Sequence, residues 1–79
     1  MEDCREKIAA NFAKLVGRKS KEIDFDVNIF EEYGVDSVQA VKLLADVEVE
    51  YDIDIPEEQA QKIRTLNDLV RVVSELQQE

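Results

Sequence analysis

The fold is decided by the stretch from residue 36 to residue 51, which reads DSVQAVKLLADVEVEY. Asp36 or Ser37 can cap the start of a helix here, because a side-chain oxygen at that position accepts hydrogen bonds from the first turn. One face of the helix is apolar and predicts packing into a core: Leu43, Leu44, Val47 and Tyr51. A second face is apolar as well, at Val38, Val41, Ala45 and Val49. A small helical domain has no obvious internal use for this second face, so we expect it to dock partners.

On the N-terminal side, the sequence predicts one long helix and then a long loop. Apolar residues recur at helical spacing from Glu2 to about Val16, and Gly17 is placed to end that helix. Cys4 falls on the apolar face, which favours a small core residue over a redox site. Residues 18–35 show no sustained period, so we expect a loop that is pinned by apolar anchors. The anchors are Ile23, Phe25, Val27, Ile29 and Phe30.

On the C-terminal side, Pro56 separates the central helix from two further helices. Residues 57–63 can form a short helix, and Thr65 can cap a last long helix. The pattern predicts an all-α fold: a small four-helix bundle with three longer helices, one short helix and a long first loop. We expect residues 1–79 to form a single domain, because this length supports one small core.

The composition excludes several classes of active site. The chain has no histidine and one cysteine, which excludes a histidine-based triad, a histidine general base and a structural zinc site. We therefore expect neither catalytic residues nor a metal site. A single cysteine cannot form an internal disulfide, and no apolar run approaches the length of a membrane span. These features predict a cytoplasmic protein that does not enter the membrane.

The negative charge is concentrated in the middle of the chain. The net charge is −9, and residues 36–58 contain eight acidic residues against Lys42 alone. Such a stretch repels nucleic acids and anionic membranes, whereas it attracts basic protein surfaces. An ordinary solvated helix face would show the same charge, so charge alone does not decide between docking and solubility.

The segment Gly34-Val35-Asp36-Ser37-Val38 resembles the Asp-Ser-Leu motif of acyl carrier proteins, whose serine carries a 4′-phosphopantetheine arm. Downstream, the sequences IPEE at residues 55–58 and TLND at residues 65–68 are similar to the family's pattern at matching spacing. Upstream, residues 29–30 match the loop anchors of the family. The resemblance covers essentially the whole chain.

The resemblance implies a carrier and not an enzyme. Ser37 would hold 4′-phosphopantetheine, delivered from coenzyme A by a phosphopantetheinyl transferase, and the chain would present acyl groups as thioesters to acyl-transferring enzymes. We expect a monomer that serves fatty-acid, polyketide or related biosynthesis, and an aminoacyl or peptidyl carrier is the alternative. The residues expected to contact partners are Asp36, Val38, Val41, Ala45, Glu48, Glu50, Asp54 and Glu57. The residues expected to line an acyl cavity are Leu43, Leu44, Val47, Ile55, Ala60 and Ile63.

Three positions depart from the family's usual pattern. Val38 stands in place of leucine, Lys42 in place of an acid, and Val49 interrupts the acidic run. All three fall near the surface that partner enzymes contact in the family. The departures favour a dedicated pathway over bulk fatty-acid synthesis.

Two other functions remain to be compared. Asp24-x-Asp26-x-Asn28 begins like a calcium-binding loop, but Ile29 stands where that loop needs glycine and Val35 where it needs glutamate. Weak stabilisation of the acidic surface by divalent ions is the better expectation. A purely structural domain that has lost its arm is the other possibility, in which Ser37 is a plain helix cap. Retention of the Asp-Ser pair argues against it.

Overall fold

The computed structural model describes residues 4–77, and within that range the chain is helical and contains no strand. Five α-helices follow in chain order: α1 at Cys4–Val16, α2 at Ile29–Glu32, α3 at Ser37–Tyr51, α4 at Glu57–Ala60 and α5 at Leu66–Gln77. The three longer helices that the sequence predicts are α1, α3 and α5. The all-α fold class is confirmed.

The predicted long first loop is partly helical. It contains a 3-10 turn at Ser20–Glu22 and the single turn of α2. Asn28 caps α2, because its Oδ1 accepts hydrogen bonds from two backbone N–H groups of the first turn, at 2.9 and 3.2 Å. The N–H of Ile29 donates to the carbonyl of Arg64 at 2.9 Å. This helix therefore depends on a contact far along the chain, which no periodicity in four residues can reveal.

The short helix after Pro56 is shorter than the sequence predicted. α4 ends at Ala60, and the N–H groups of Lys62 and Ile63 bond to carbonyls three residues back, at 3.1 and 3.2 Å. These tighter bonds bend the chain so that Ile63 is buried in the core. The predicted start of the first helix at Glu2 lies outside the described residues.

The ends of the long helices follow the predicted capping residues. Gly17 has a φ of +71°, and the N–H of Arg18 donates to the carbonyl of Ala13 at 2.9 Å, which closes α1. At α5, the hydroxyl oxygen of Thr65 accepts a hydrogen bond from the N–H of Asp68 at 3.1 Å. Both capping predictions are confirmed.

Asp68 completes the cap of α5. Burial raises the pKa of its carboxyl, but hydrogen bonds outweigh burial and hold the pKa below its usual value. The donors are the backbone N–H groups of Arg64 and Thr65, at 3.0 and 3.2 Å. The guanidinium of Arg71, at 2.9 Å, acts in the same direction.

The hydrophobic core lies between α1, α3 and α5. Its completely buried side chains come from all three helices: Ile8, Phe12, Val47, Leu66, Leu69 and Val73. Of the expected loop anchors, Ile23 and Ile29 belong to the same cluster, and Phe25 and Phe30 pack against it. Val27 does neither, and Val35, which was not an expected anchor, is part of the cluster. Cys4 is half-buried and packs against the cluster.

The chain has no helix long and apolar enough to cross a bilayer among the residues that the structure describes.

Candidate functional site

Ser37 is the first residue of α3 and is exposed. The helix is capped by its neighbour: the N–H of Gln39 donates to Asp36 Oδ1 at 2.8 Å, and the N–H of Asp36 donates to Gln39 Oε1 at 3.2 Å. Of the two candidate caps in the sequence, Asp36 is therefore the one used. The hydroxyl of Ser37 is left available for chemistry at the N-terminal end of a 15-residue helix.

The two residues before this cap fix its position. Val35 is buried in the core, so the chain is anchored one residue before Asp36. Gly34 has a φ of +66°, in the left-handed region that favours glycine, and it turns the chain from α2 into α3. Ser37 is thus held at the surface while Val35, two residues earlier, is part of the core.

Ser37 lies on the rim of an open cleft of about 720 Å³. The apolar residues that line the cleft are Phe30, Ala40, Val41, Leu44, Ala60 and Ile63. The polar and charged residues that line it are Asn28, Glu31, Glu57, Gln61 and Arg64. The cleft thus brings α2, α3 and α4 together beside the serine and combines an apolar surface with polar groups, the usual make-up of a small-molecule site.

The predicted cavity residues are only partly brought together. Leu44, Ala60 and Ile63 line the cleft, and Leu43 lines a small void of about 30 Å³ behind it. Val47 lies in the core, completely buried, and Ile55 is half-buried against that core, so neither lines the cleft or the void.

Sequence reasoning missed several residues of the cleft. The sequence predicts Phe30 as a loop anchor, and Phe30 does pack against the core, but it also lines the cleft. Among the polar lining residues, the sequence pattern indicates only Glu57, as a partner contact, and Asn28, in the calcium-like segment. It indicates no role for Ala40, Glu31, Gln61 or Arg64. The apolar position of Ala40, three residues after Ser37, was an available signal, because residues at this spacing share a helix face. Gln61 and Arg64 gave no such signal, because the turns after α4 bring them to the cleft.

The second apolar face of α3 is exposed, as the sequence predicted. Val38, Val41 and Val49 are 75%, 66% and 84% exposed, and Ala45 is exposed between them. Their spacing of three, four and four residues places them on one line along the helix. We call these four residues the valine stripe. It begins next to Ser37 and runs along α3.

The acidic residues predicted to contact partners have different surroundings. Glu48 is half-buried, and its Oε2 accepts a hydrogen bond from the N–H of Ile55 at 2.8 Å. Glu50 forms an ion pair with Lys7 of α1 at 3.1 Å. Both side chains therefore have partners within the protein. Asp54 and Glu57 are exposed in the segment that leads into α4.

The side chains of the calcium-like segment form local hydrogen bonds. Asp24 Oδ1 accepts a hydrogen bond from the N–H of Asp26 at 2.9 Å, and Asp26 accepts one from the side-chain amide of Asn67. Asn28 caps α2. Among residues 4–77 there is no cluster of three or more side chains arranged to hold a metal ion.

Several known proteins are similar to this chain. A family model described as the phosphopantetheine attachment site matches residues 6–73. An acyl carrier protein of Rickettsia bellii (strain OSU 85-389) is 32% identical over 75 residues, which cover 95% of this chain and 93% of that protein. An acyl carrier protein of Rickettsia massiliae (strain Mtu5) is 33% identical over 72 residues, covering 91% and 84% of the two chains.

The fold also matches a solved structure, that of the acyl carrier protein from Enterococcus faecalis. The TM-score is 0.70 at 22% identity, and the match covers 91% of this chain and 96% of that chain. Phosphopantetheine is the group that the matched family attaches, so the predicted cofactor is confirmed. The chain belongs to the phosphopantetheine-binding family of acyl carrier proteins.

Proposed function

We propose that this protein carries acyl groups as thioesters on a 4′-phosphopantetheine arm attached to Ser37. The observation that carries the proposal is that Ser37 is exposed at the start of α3 while Asp36 performs the capping. The residues present fit the arm. A helix N-terminus favours the negative charge of a phosphodiester, and the apolar side of the adjacent cleft suits an acyl group.

The chain supplies a point of attachment and no catalyst of its own. It contains no histidine, and in the described part of the chain no hydrogen bond joins the hydroxyl of Ser37 to a base. Activation of this serine therefore falls to a separate phosphopantetheinyl transferase. The Ser37 oxygen loses its proton and bonds to the phosphorus next to the pantetheine, the diphosphate linkage of coenzyme A breaks, and adenosine 3′,5′-bisphosphate leaves. When bound, the arm supplies the thiol that forms the thioester. The protein acts as a non-catalytic carrier in fatty-acid, polyketide or related biosynthesis.

Partner enzymes dock along α3 in this proposal. The valine stripe offers apolar contact beside Ser37, and the exposed Asp54 and Glu57 attract basic enzyme surfaces. Asp36 is placed next to the attachment point, although it also caps the helix. Because Glu48 and Glu50 have partners inside the protein, we assign them a smaller part in attracting enzymes.

The proposal treats residues 1–79 as one carrier domain that acts as a cytoplasmic monomer. Support comes from a single core to which α1, α3 and α5 all contribute, and from the family match over residues 6–73. One cysteine and no disulfide partner suit a reducing compartment.

Arm attachment tests the proposal directly. The purified protein is incubated with coenzyme A and a phosphopantetheinyl transferase, and intact-mass spectrometry records the product. We expect a gain of one phosphopantetheinyl group in the wild type and none in Ser37→Ala. Ser20→Ala, which removes another exposed hydroxyl at the start of a helical turn, is the matched control and accepts the arm normally. A Ser37→Ala protein that still gains the group would refute the assignment.

A further inference from the structure

Positive charge in this acidic chain is concentrated in and just after α1, and α3 adds one lysine to it. Residues 4–22 contain six basic and two acidic residues, whereas residues 24–58 contain twelve acidic residues and Lys42 as their one base. The fold brings Lys42 to the basic segment, because Lys42 of α3 and Lys14 of α1 line the same cavity. The one base of the acidic stretch therefore lies close to a second base.

The cavity between α1 and α3 has a volume of about 190 Å³, and we call it the lysine cavity. Its lining consists of Asn11, Lys14, Leu15, Lys42 and Asp46. Both lysines are exposed, and in the part of the chain that the structure describes neither ammonium group forms an ion pair. Two ammonium groups and a single carboxylate leave the lining with a net positive charge, which one further carboxylate would neutralise.

The size and the lining of the lysine cavity favour a protein side chain over a free small molecule. Its volume lies below the range of about 300–1,000 Å³ that is typical of small-molecule sites. The two ammonium groups and the side-chain amide of Asn11 can donate hydrogen bonds to a carboxylate. Leu15 is half-buried and offers apolar contact to methylene groups. A glutamate or aspartate of a partner protein combines these features.

The charge of the rest of the chain disfavours nucleic acids and membranes at this cavity. The net charge is −9, and seven acidic residues follow Lys42 between residues 46 and 58. A nucleic acid or an anionic membrane presents many negative charges over a wide area, and exposed acids repel such a surface over about 8–10 Å. A single carboxylate on a protein surface avoids most of this repulsion.

The lysine cavity lies next to the valine stripe. Lys42 follows Val38 by four residues and precedes Ala45 by three, so these side chains are neighbours on the surface of α3. Lys14 then extends the positive charge from α3 onto α1. A protein that covers the valine stripe therefore meets Lys42 at the edge of the contact.

We propose that Lys14 and Lys42 bind a carboxylate of an enzyme that docks on the valine stripe, and so select partners with an acidic residue at that point. The inference rests on the proposed function, in which enzymes dock along α3. It adds a specificity determinant that includes α1, and it names the chemistry of the partner. An enzyme whose docking surface is basic throughout is repelled at this edge.

Two synthetic peptides test for the carboxylate. Both form amphipathic helices with the same leucine face, and this face is flanked by glutamates in one peptide and by lysines in the other. Amide NMR spectra of the isotope-labelled protein record where each peptide binds. We expect the glutamate peptide to shift the amides of residues 11–15 and 38–46, and the lysine peptide to shift those of residues 52–58 instead.

Charge reversal of the two lysines should weaken this binding. Lys14→Glu combined with Lys42→Glu should raise the dissociation constant of the glutamate peptide on the order of tenfold at low salt, and by less as salt rises. Lys14→Gln with Lys42→Gln should have a smaller effect in the same direction, and this pair is used if the reversed protein does not fold by circular dichroism.

The matched control is Lys19→Glu combined with Lys21→Glu. Both lysines are exposed in the segment after α1, and the change in net charge is the same, but neither residue lines the lysine cavity. We expect the dissociation constant of the glutamate peptide to change by less than about twofold.

Three results would overturn the proposal: equal weakening by both pairs of reversals, a lysine peptide that shifts residues 11–15 and 38–46, or no binding of the glutamate peptide. Duplex DNA or phosphatidylglycerol vesicles that bind at Lys14 and Lys42 as tightly as the peptide would overturn the assignment to a protein carboxylate. Arm attachment is measured separately, by intact mass. A wild type that accepts no arm would refute the proposed function, whereas a protein that accepts the arm and fails the peptide test would refute the role of the lysine cavity alone.

Discussion

The starts of α3 and α5 look alike in sequence, but they differ in whether a hydroxyl group is left free. Both begin with a capping box, in which a side chain at the cap and one three residues later exchange hydrogen bonds with the backbone. At α5 the hydroxyl of Thr65 is itself the cap. At α3 the carboxylate of Asp36 is the cap, and the hydroxyl lies one residue further on, at Ser37. A hydroxyl at a helix start becomes available for chemistry only when another side chain does the capping.

The largest expected effect comes from exchanging the two hydroxyls. The double variant Ser37→Ala, Thr65→Ser removes the serine at α3 and places one at α5. We expect no phosphopantetheinyl group to attach, because the hydroxyl at position 65 accepts a hydrogen bond from the N–H of Asp68 and does not line the cleft. Intact-mass spectrometry after reaction with the transferase measures this. Attachment to the double variant would show that a serine at any helix start is sufficient.

Charge reversal of the two exposed acids in the segment that leads into α4 should have the next largest effect. Asp54→Lys combined with Glu57→Lys should slow arm attachment on the order of tenfold at low salt, mainly through the association rate. The loss should shrink as salt rises, because exposed charges are screened over about 8–10 Å at physiological ionic strength. Transferase kinetics at several salt concentrations make the measurement.

The control for that experiment changes the net charge by the same amount, at two positions elsewhere in the chain. Glu6→Lys with Glu75→Lys alters two exposed acids, one in the first turn of α1 and one on α5. We expect the attachment rate to stay close to wild type. Equal slowing by both pairs would mean that the transferase responds to overall charge, and the proposed role of Asp54 and Glu57 in attracting enzymes would then be wrong.

The smallest expected effect concerns stability. Thr65→Ala should lower the free energy of unfolding by about 1 kcal/mol, because it removes a helix cap. Ser37→Ala should change it by less than about 0.5 kcal/mol, since Asp36 retains the cap of α3. Urea denaturation followed by circular dichroism compares the two. A similar loss of stability in both variants would contradict the conclusion that Asp36, and not Ser37, caps α3.

The sequence was sufficient to predict features that depend on residues close together in the chain. Helical spacing and capping residues located α1, α3 and α5, and the exposed valine stripe followed from the same periodicity. It was not sufficient to predict features that depend on contacts between residues far apart in the chain. The single turn of α2 depends on the hydrogen bond from the N–H of Ile29 to the carbonyl of Arg64. Glu48 accepts a hydrogen bond from the N–H of Ile55 across a turn. The cleft is a space between three helices, so only the assembled fold shows that Phe30 lines it while Val47 and Ile55 do not.

The capping of α3 by Asp36 has a consequence for a cell that makes a defective copy of this protein. Because Asp36 and not the Ser37 hydroxyl caps the helix, we expect a chain that has lost this hydroxyl to keep its structure and its valine stripe. We expect such a chain, which cannot receive the phosphopantetheine arm, to keep binding the transferase without being modified. A substitution at position 37 would then do more than remove one carrier, because it would create a competitive inhibitor of the carriers that remain.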